Sequence, residues 1–143
     1  MRRRLSPALR SVSLLLASHA RLAEELARPE NRPASLAGGA AISPPPVAVA
    51  MYNLGFLPGS DKRVVTSAGD TLVSLRSAAE LLAPRGVLLV HAYGGHAGGR
   101  EELEAVDAWH AALPFEHWTA AKYALRNKAR NPEALFLAEK REA

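Results

Sequence analysis

The chain has 143 residues, 48% of them hydrophobic and 22% charged, with no cysteine and a net charge of +4. That balance excludes a disordered chain, and the lack of cysteine excludes disulfides, thiolate metal sites and cysteine nucleophiles. No apolar run reaches the roughly 20 residues of a membrane helix, and after Met1-Arg2-Arg3-Arg4 the Ser6-Pro7 pair interrupts the stretch a secretion signal needs. The expectation is one domain over residues 1–143, cytoplasmic and without membrane contact.

Taken in chain order, residues 11–17, SVSLLLA, form an apolar run consistent with a buried strand, and Ser18 can cap a helix reaching Arg28. Residues 28–46 hold five of the ten prolines and Gly38-Gly39, so they read as a long loop. Residues 47–52, VAVAMY, predict a second buried strand that stops at Asn53-Leu54-Gly55. Ser67 or Asp70 can cap a helix with Leu72, Leu75, Ala79 and Leu82 on one stripe, ended by Pro84-Arg85-Gly86. Residues 87–90, VLLV, predict a third strand. The Gly-rich loop 93–99 then opens a helix with Glu101 and Glu102 in its first turn, where the helix dipole favours acids, and with Leu103, Val106, Trp109 and Leu113 facing the core. Residues 115–125 and 134–139 predict a closing hairpin. Short apolar strands alternating with amphipathic helices indicate an α/β fold, a mostly parallel sheet covered on both faces with ligands at the carboxyl ends of its strands.

Two stretches are basic and free of acids: residues 1–23, with five arginines, and the run Lys122, Arg126, Lys128, Arg130. Both suit phosphate backbones, although solvated basic faces look the same in sequence. His91, His96, His110 and His117 lack the carboxylates of a metal cluster, so no metal site is expected. Gly94-Gly95 and Gly98-Gly99 lack the lysine of a phosphate loop.

The densest chemistry is the decapeptide 53–62, which joins Asn53, Leu54, Gly55 and Phe56 to Pro58-Gly59 and Asp61-Lys62 directly after a strand. An Asn side-chain carbonyl and the following backbone carbonyl can accept both N–H bonds of an amine and aim its lone pair, and Phe56 can stack on a base. As pure structure the same residues are a capped strand end and a Pro-Gly turn. The whole segment resembles the NLGYLPGGDK segment of the MnmM/YtqB-like family of class I S-adenosylmethionine-dependent methyltransferases, with Phe56 for Tyr and Ser60 for Gly. Residues 93–102, from Tyr93 through His96, are similar to that family's Y-x-G-H-x-x-G loop. Residues 127–132, with Leu135 and Glu139-Lys140, resemble its closing N-x-x-N-x-P-P segment, with Arg130 for an Asn and Glu133 for the second Pro. Ser18-His19 matches a Ser-His after the third strand.

The resemblance implies methylation of the 5-aminomethyl group of the tRNA wobble uridine by S-adenosylmethionine. It puts Asn53 and His96 in catalysis, Leu54, Gly55, Phe56, Pro58, Gly59, Asp61, Lys62, Tyr93, Asn127 and Arg130 around the substrate, and Ser18 and His19 near the cofactor. The family's D-x-x-x-G-x-G turn is absent. The implied fold is therefore a partial Rossmann-like sheet, N-terminally truncated and lacking the first two strands of the order 3-2-1-4-5-7-6, which would hold the donor weakly or not at all. On that assignment residues 11–17 cross over to pair with 47–52, or a partner chain or second copy covers the open edge. The alternative function is an inactive, basic RNA-binding or partner-dependent remnant.

Overall fold

A computed structural model describes residues 14–31, 46–55, 65–128 and 130–142. A 3-10 turn, His19–Arg21, runs into α1, Leu22–Ala27. Strand β1, Val47–Asn53, is followed by α2, Ala68–Leu81, then β2, Leu82–Tyr93, α3, Gly99–Ala111, and the hairpin β3, Trp118–Ala124, and β4, Glu133–Lys140. The sheet order is β1-β2-β4-β3. Only β1 and β2 are parallel, while β4 runs antiparallel to both neighbours, so the sheet is mixed rather than mostly parallel.

Side-chain hydrogen bonds close both ends of α2. Ser67 accepts from the Asp70 amide at 3.2 Å and donates to its carboxylate at 3.0 Å, a reciprocal cap that starts α2. At the other end, Lys140 Nζ donates to the carbonyls of Ala79, Glu80 and Leu82 at 3.0, 3.4 and 2.9 Å. These are orphan acceptors of a helix C-terminus, which a cation suits. Pro84 lies two residues past the C-cap Leu82, where the helix has to have ended. Pro84-Arg85-Gly86 also forms an irregularity inside β2, where Arg85 adopts φ 62°, between the pairs Val47–Leu82 and Val49–Val87.

Helices α2 and α3 pack on each other and on one face of the sheet. Leu75, Ala78, Leu88, Val90, Val106, Phe136 and Ala138 are buried between them, and each large apolar side chain fully buried there contributes about 1.5–3 kcal/mol. Tyr52 crosses this layer to the Ser74 hydroxyl, 2.8 Å away. Burial pushes the Tyr52 phenol above its ordinary value of 10.0, with the Ser74 hydrogen bond acting against the shift. The fold therefore favours the neutral phenol. Its contribution is complete below the unfolded value and is lost as pH rises through the folded one. Tyr52→Phe is expected to cost about 1 kcal/mol at neutral pH and to flatten the decline of stability in alkali, as read by urea unfolding at both pH values.

The other face carries no helix among the described residues, contrary to the expected cover on both faces. Val49 is 56% exposed and Met51 73% exposed there. The expected ladder between residues 11–17 and 47–52 is not formed by residues 14–17, which are irregular and exposed. Residues 11–13 lie outside the described residues. An apolar run makes a strand only when a neighbour supplies the second half of its ladder, and among the described residues β1 pairs with β2.

Candidate acceptor site at the carboxyl ends of β1 and β2

Asn53 ends β1 and pairs in register with His91 of β2, and Leu54 continues the ladder through its amide to the His91 carbonyl at 2.9 Å. His91 and Tyr93 alternate onto the same open face, with ring centroids 4.2 Å apart. The Tyr93 hydroxyl donates to Asn53 Oδ1 at 3.1 Å and lies 2.9 Å from His91 Nδ1. A phenol has one proton. With Asn53 receiving it, the direction of the contact with His91 Nδ1 depends on the imidazole tautomer. The Asn53 carbonyl retains a second lone pair, and no backbone hydrogen bond among the described residues uses the Leu54 carbonyl.

The turn after Asn53 is held from behind by a chain of polar side chains. Gly55, at φ 106°, donates its amide to Thr66 Oγ1 at 2.9 Å and accepts from the Thr66 amide at 3.0 Å. Thr66 in turn donates to Glu102 Oε2 at 2.7 Å, and Thr71 donates to Glu102 Oε1 at 2.5 Å. Glu102 is 1% exposed. Sequence reasoning placed it only as a first-turn acid; the missed signal is that Glu102 stands four residues before Val106 and eight before His110, both buried on the same stripe.

His96 packs against this turn. Its Nδ1 is 3.0 Å from the Ala97 carbonyl, and its Nε2 is buried without a hydrogen-bond partner among the described residues. Glycine is required on one side: a Cβ on Gly99 would meet the Tyr93 carbonyl and come within 2.8 Å of His96 Nε2. Across the loop, the Gly94 amide donates to the Pro132 carbonyl at 2.6 Å. This brings the β3–β4 turn beside loop 93–99. Asn127 and Arg130 stand exposed in that turn, with no hydrogen bond to Asn53 among the described residues.

Of the other predicted site residues, Phe56, Pro58, Gly59, Asp61 and Lys62 lie outside the described residues. The Ser18 hydroxyl accepts from the Ala20 amide at 3.3 Å, and His19 Nε2 approaches Thr71 Oγ1 at 3.4 Å. Both predicted cofactor residues are thus engaged within the fold. No three His, Asp or Glu side chains converge as metal ligands among the described residues.

A family model described as "Putative rRNA methylase" matches residues 1–139. The chain belongs to this rRNA methylase family. Over 91 residues, 64% of this chain and 33% of the relative, it is 38% identical to a tRNA (mnm(5)s(2)U34)-methyltransferase, chloroplastic, of Arabidopsis thaliana. Two solved structures, each described as "putative", are also similar to this chain. One is an rRNA methylase of Clostridium thermocellum, at 32% identity and a TM-score of 0.63 over 67% of this chain and 52% of that one. The other is a methyltransferase of Streptococcus mutans in complex with SAH, at 30% identity and a TM-score of 0.59 over the same shares, 67% and 52%. The chain thus spans about a third of the curated relative and about half of each solved structure. In this rRNA methylase family member, no helix among the described residues is long and apolar enough to cross a membrane.

Proposed function

We propose that the chain forms the acceptor side of an S-adenosylmethionine-dependent tRNA methyltransferase, acting on the 5-aminomethyl nitrogen of the wobble uridine. The observation that carries this is the Asn53 amide, fixed by Tyr93 at the carboxyl end of β1 with a lone pair left over. An amine donating to that oxygen and to the Leu54 carbonyl has both N–H bonds engaged, so its remaining lone pair is aimed outward. His91 holds Tyr93, and Glu102 with Thr66 holds the turn behind it. His96 as the proton acceptor requires the Gly55 turn to give way, because its Nε2 is buried beside that turn. The relative from Arabidopsis thaliana supports a tRNA substrate, and the Streptococcus mutans structure with SAH supports the donor.

Asn53→Ala is expected to lower methyl incorporation into tRNA bearing the aminomethyl uridine by roughly 100-fold, and Tyr93→Phe by less. Unchanged incorporation in Asn53→Ala would sink the assignment. A second reading, a remnant that works only with another chain, is favoured by the exposed Val49 and Met51 on the β1 edge strand. It predicts that methyl transfer appears only when a donor-binding chain is added.

A further inference from the structure

Beyond Asn53, the open face of the sheet holds a second feature, which shares His91 with the amine site. Across the sheet, Asn53, His91, Leu135 and Tyr123 lie in one register row. Leu135 lies between His91 and Tyr123, and with Leu125, Glu133 and Ala134 they line a groove of about 300 Å³. That is near the lower limit of pockets that seat small organic ligands, roughly 300 Å³. Two strand spacings put the His91 and Tyr123 backbones about 10 Å apart. A flat ring needs about 3.5–4 Å of clearance on each face, so it fits over Leu135.

The walls of the groove are apolar and aromatic, and the β3–β4 turn that follows its lining residue Leu125 is basic. Tyr123 is 68% exposed, its ring uncovered by the described residues. Lys122 alternates onto the opposite, helix-covered face, where Asp107 of α3 holds it at 2.6 Å, and Lys128 is held by Glu133 at 3.0 Å. Arg126 and Arg130, in the exposed turn between β3 and β4, have neither an ion pair nor a side-chain hydrogen bond among the described residues. An aromatic platform flanked by unneutralised guanidinium groups matches an unpaired base carried on a phosphate backbone. A second protein chain would have to bring acids to the same turn.

We propose that this groove seats an unpaired nucleobase of single-stranded RNA next to the nucleotide at Asn53, with Arg126 and Arg130 holding the adjoining phosphates. The proposal deepens the RNA reading above and rests on it. It assigns Tyr123 to substrate binding rather than to catalysis.

The test is fluorescence anisotropy of the whole chain, without methyl donor, on a labelled anticodon stem-loop RNA and on a fully paired duplex of equal length. Tyr123→Ala is expected to weaken stem-loop binding roughly 5- to 100-fold and leave duplex binding unchanged, with Tyr123→Phe close to the parent. Arg126→Ala and Arg130→Ala should each reduce the salt dependence by about one phosphate contact. Equal affinity of Tyr123→Ala and the parent for the stem-loop, or an equal loss on both RNAs, overturns the proposal. So does a concentration-dependent dimer that Tyr123→Ala abolishes while RNA binding stays intact. Stem-loop binding that depends on Tyr123 in a chain without methyl transfer would count against the enzyme assignment alone. Methyl transfer insensitive to Tyr123→Ala would count against this groove alone.

Discussion

Glu102→Ala should lower the stability of the fold by about 3 kcal/mol, seen in thermal unfolding as a midpoint roughly 6–12 °C lower. Glu102 accepts two hydroxyl hydrogen bonds in a position closed to water, and bonds to a charged acceptor are worth about 1.5–3 kcal/mol each. The alanine leaves Thr66 and Thr71 short of an acceptor and opens a cavity, while relief of a buried carboxylate offsets part of the loss. Glu102→Gln keeps the shape and one acceptor, so its cost should be nearer 1 kcal/mol. A Glu102→Ala midpoint within about 2 °C of the parent would show that the network is incidental. Because Thr66 also holds the Gly55 amide, the alanine variant should lose methyl transfer at temperatures where it is still folded.

For Gly99→Ala the expected loss concentrates at the site. The new Cβ meets the Tyr93 carbonyl and lies 2.8 Å from His96 Nε2. The imidazole can rotate, but Tyr93 ends β2 and is laddered to Glu133, so its backbone has little room to yield. Overpacking of this kind costs about 1–3 kcal/mol. A shift of Tyr93 carries its hydroxyl away from Asn53, and misplacement by about 1 Å can cost roughly 100-fold in rate. Gly69→Ala is the matched control. Nothing lies within 4 Å of its Cβ, and in a helix it should be neutral or stabilising by up to about 1 kcal/mol. Equal behaviour of the two variants in unfolding and in methyl incorporation would remove the steric account.

Local periodicity reveals α2, α3, β1 and the closing hairpin, because each of those elements buries one face against neighbours of its own kind. The same criterion fails for residues 14–17, whose apolarity matches that of VAVAMY. What separates them is a partner strand, and that is not a local property. Pro84-Arg85-Gly86 reads as a helix stop, but the cation that satisfies the carbonyls at that end is Lys140, some 60 residues away, which no local pattern reveals. In α3 the buried stripe includes Glu102 and His110, two polar residues that a hydrophobic pattern passes over. His110 is accommodated by the Leu137 carbonyl at 2.8 Å. At the site, Asn53 and the loop holding Tyr93 and His96 stand out through family resemblance. The Tyr93–Asn53 bond spans 40 positions, so no spacing rule could reveal it. Phe56 and the rest of the decapeptide lie outside the described residues.

The sheet order also bears on how the chain can be made. Strand β3 precedes β4 in sequence but lies on its far side, so β3 has nowhere to pair until β4 has been synthesised and inserted beside β2. The same late strand carries Lys140, which completes the end of α2. On a ribosome, β1, α2 and β2 can assemble early as a parallel pair with a helix across it, but that unit exposes β2 as an edge and leaves three carbonyls of the α2 terminus without their cation. Closure of the sheet therefore waits for β4, and until β4 is in place β2 presents an open apolar edge, the kind of surface that chaperones shield.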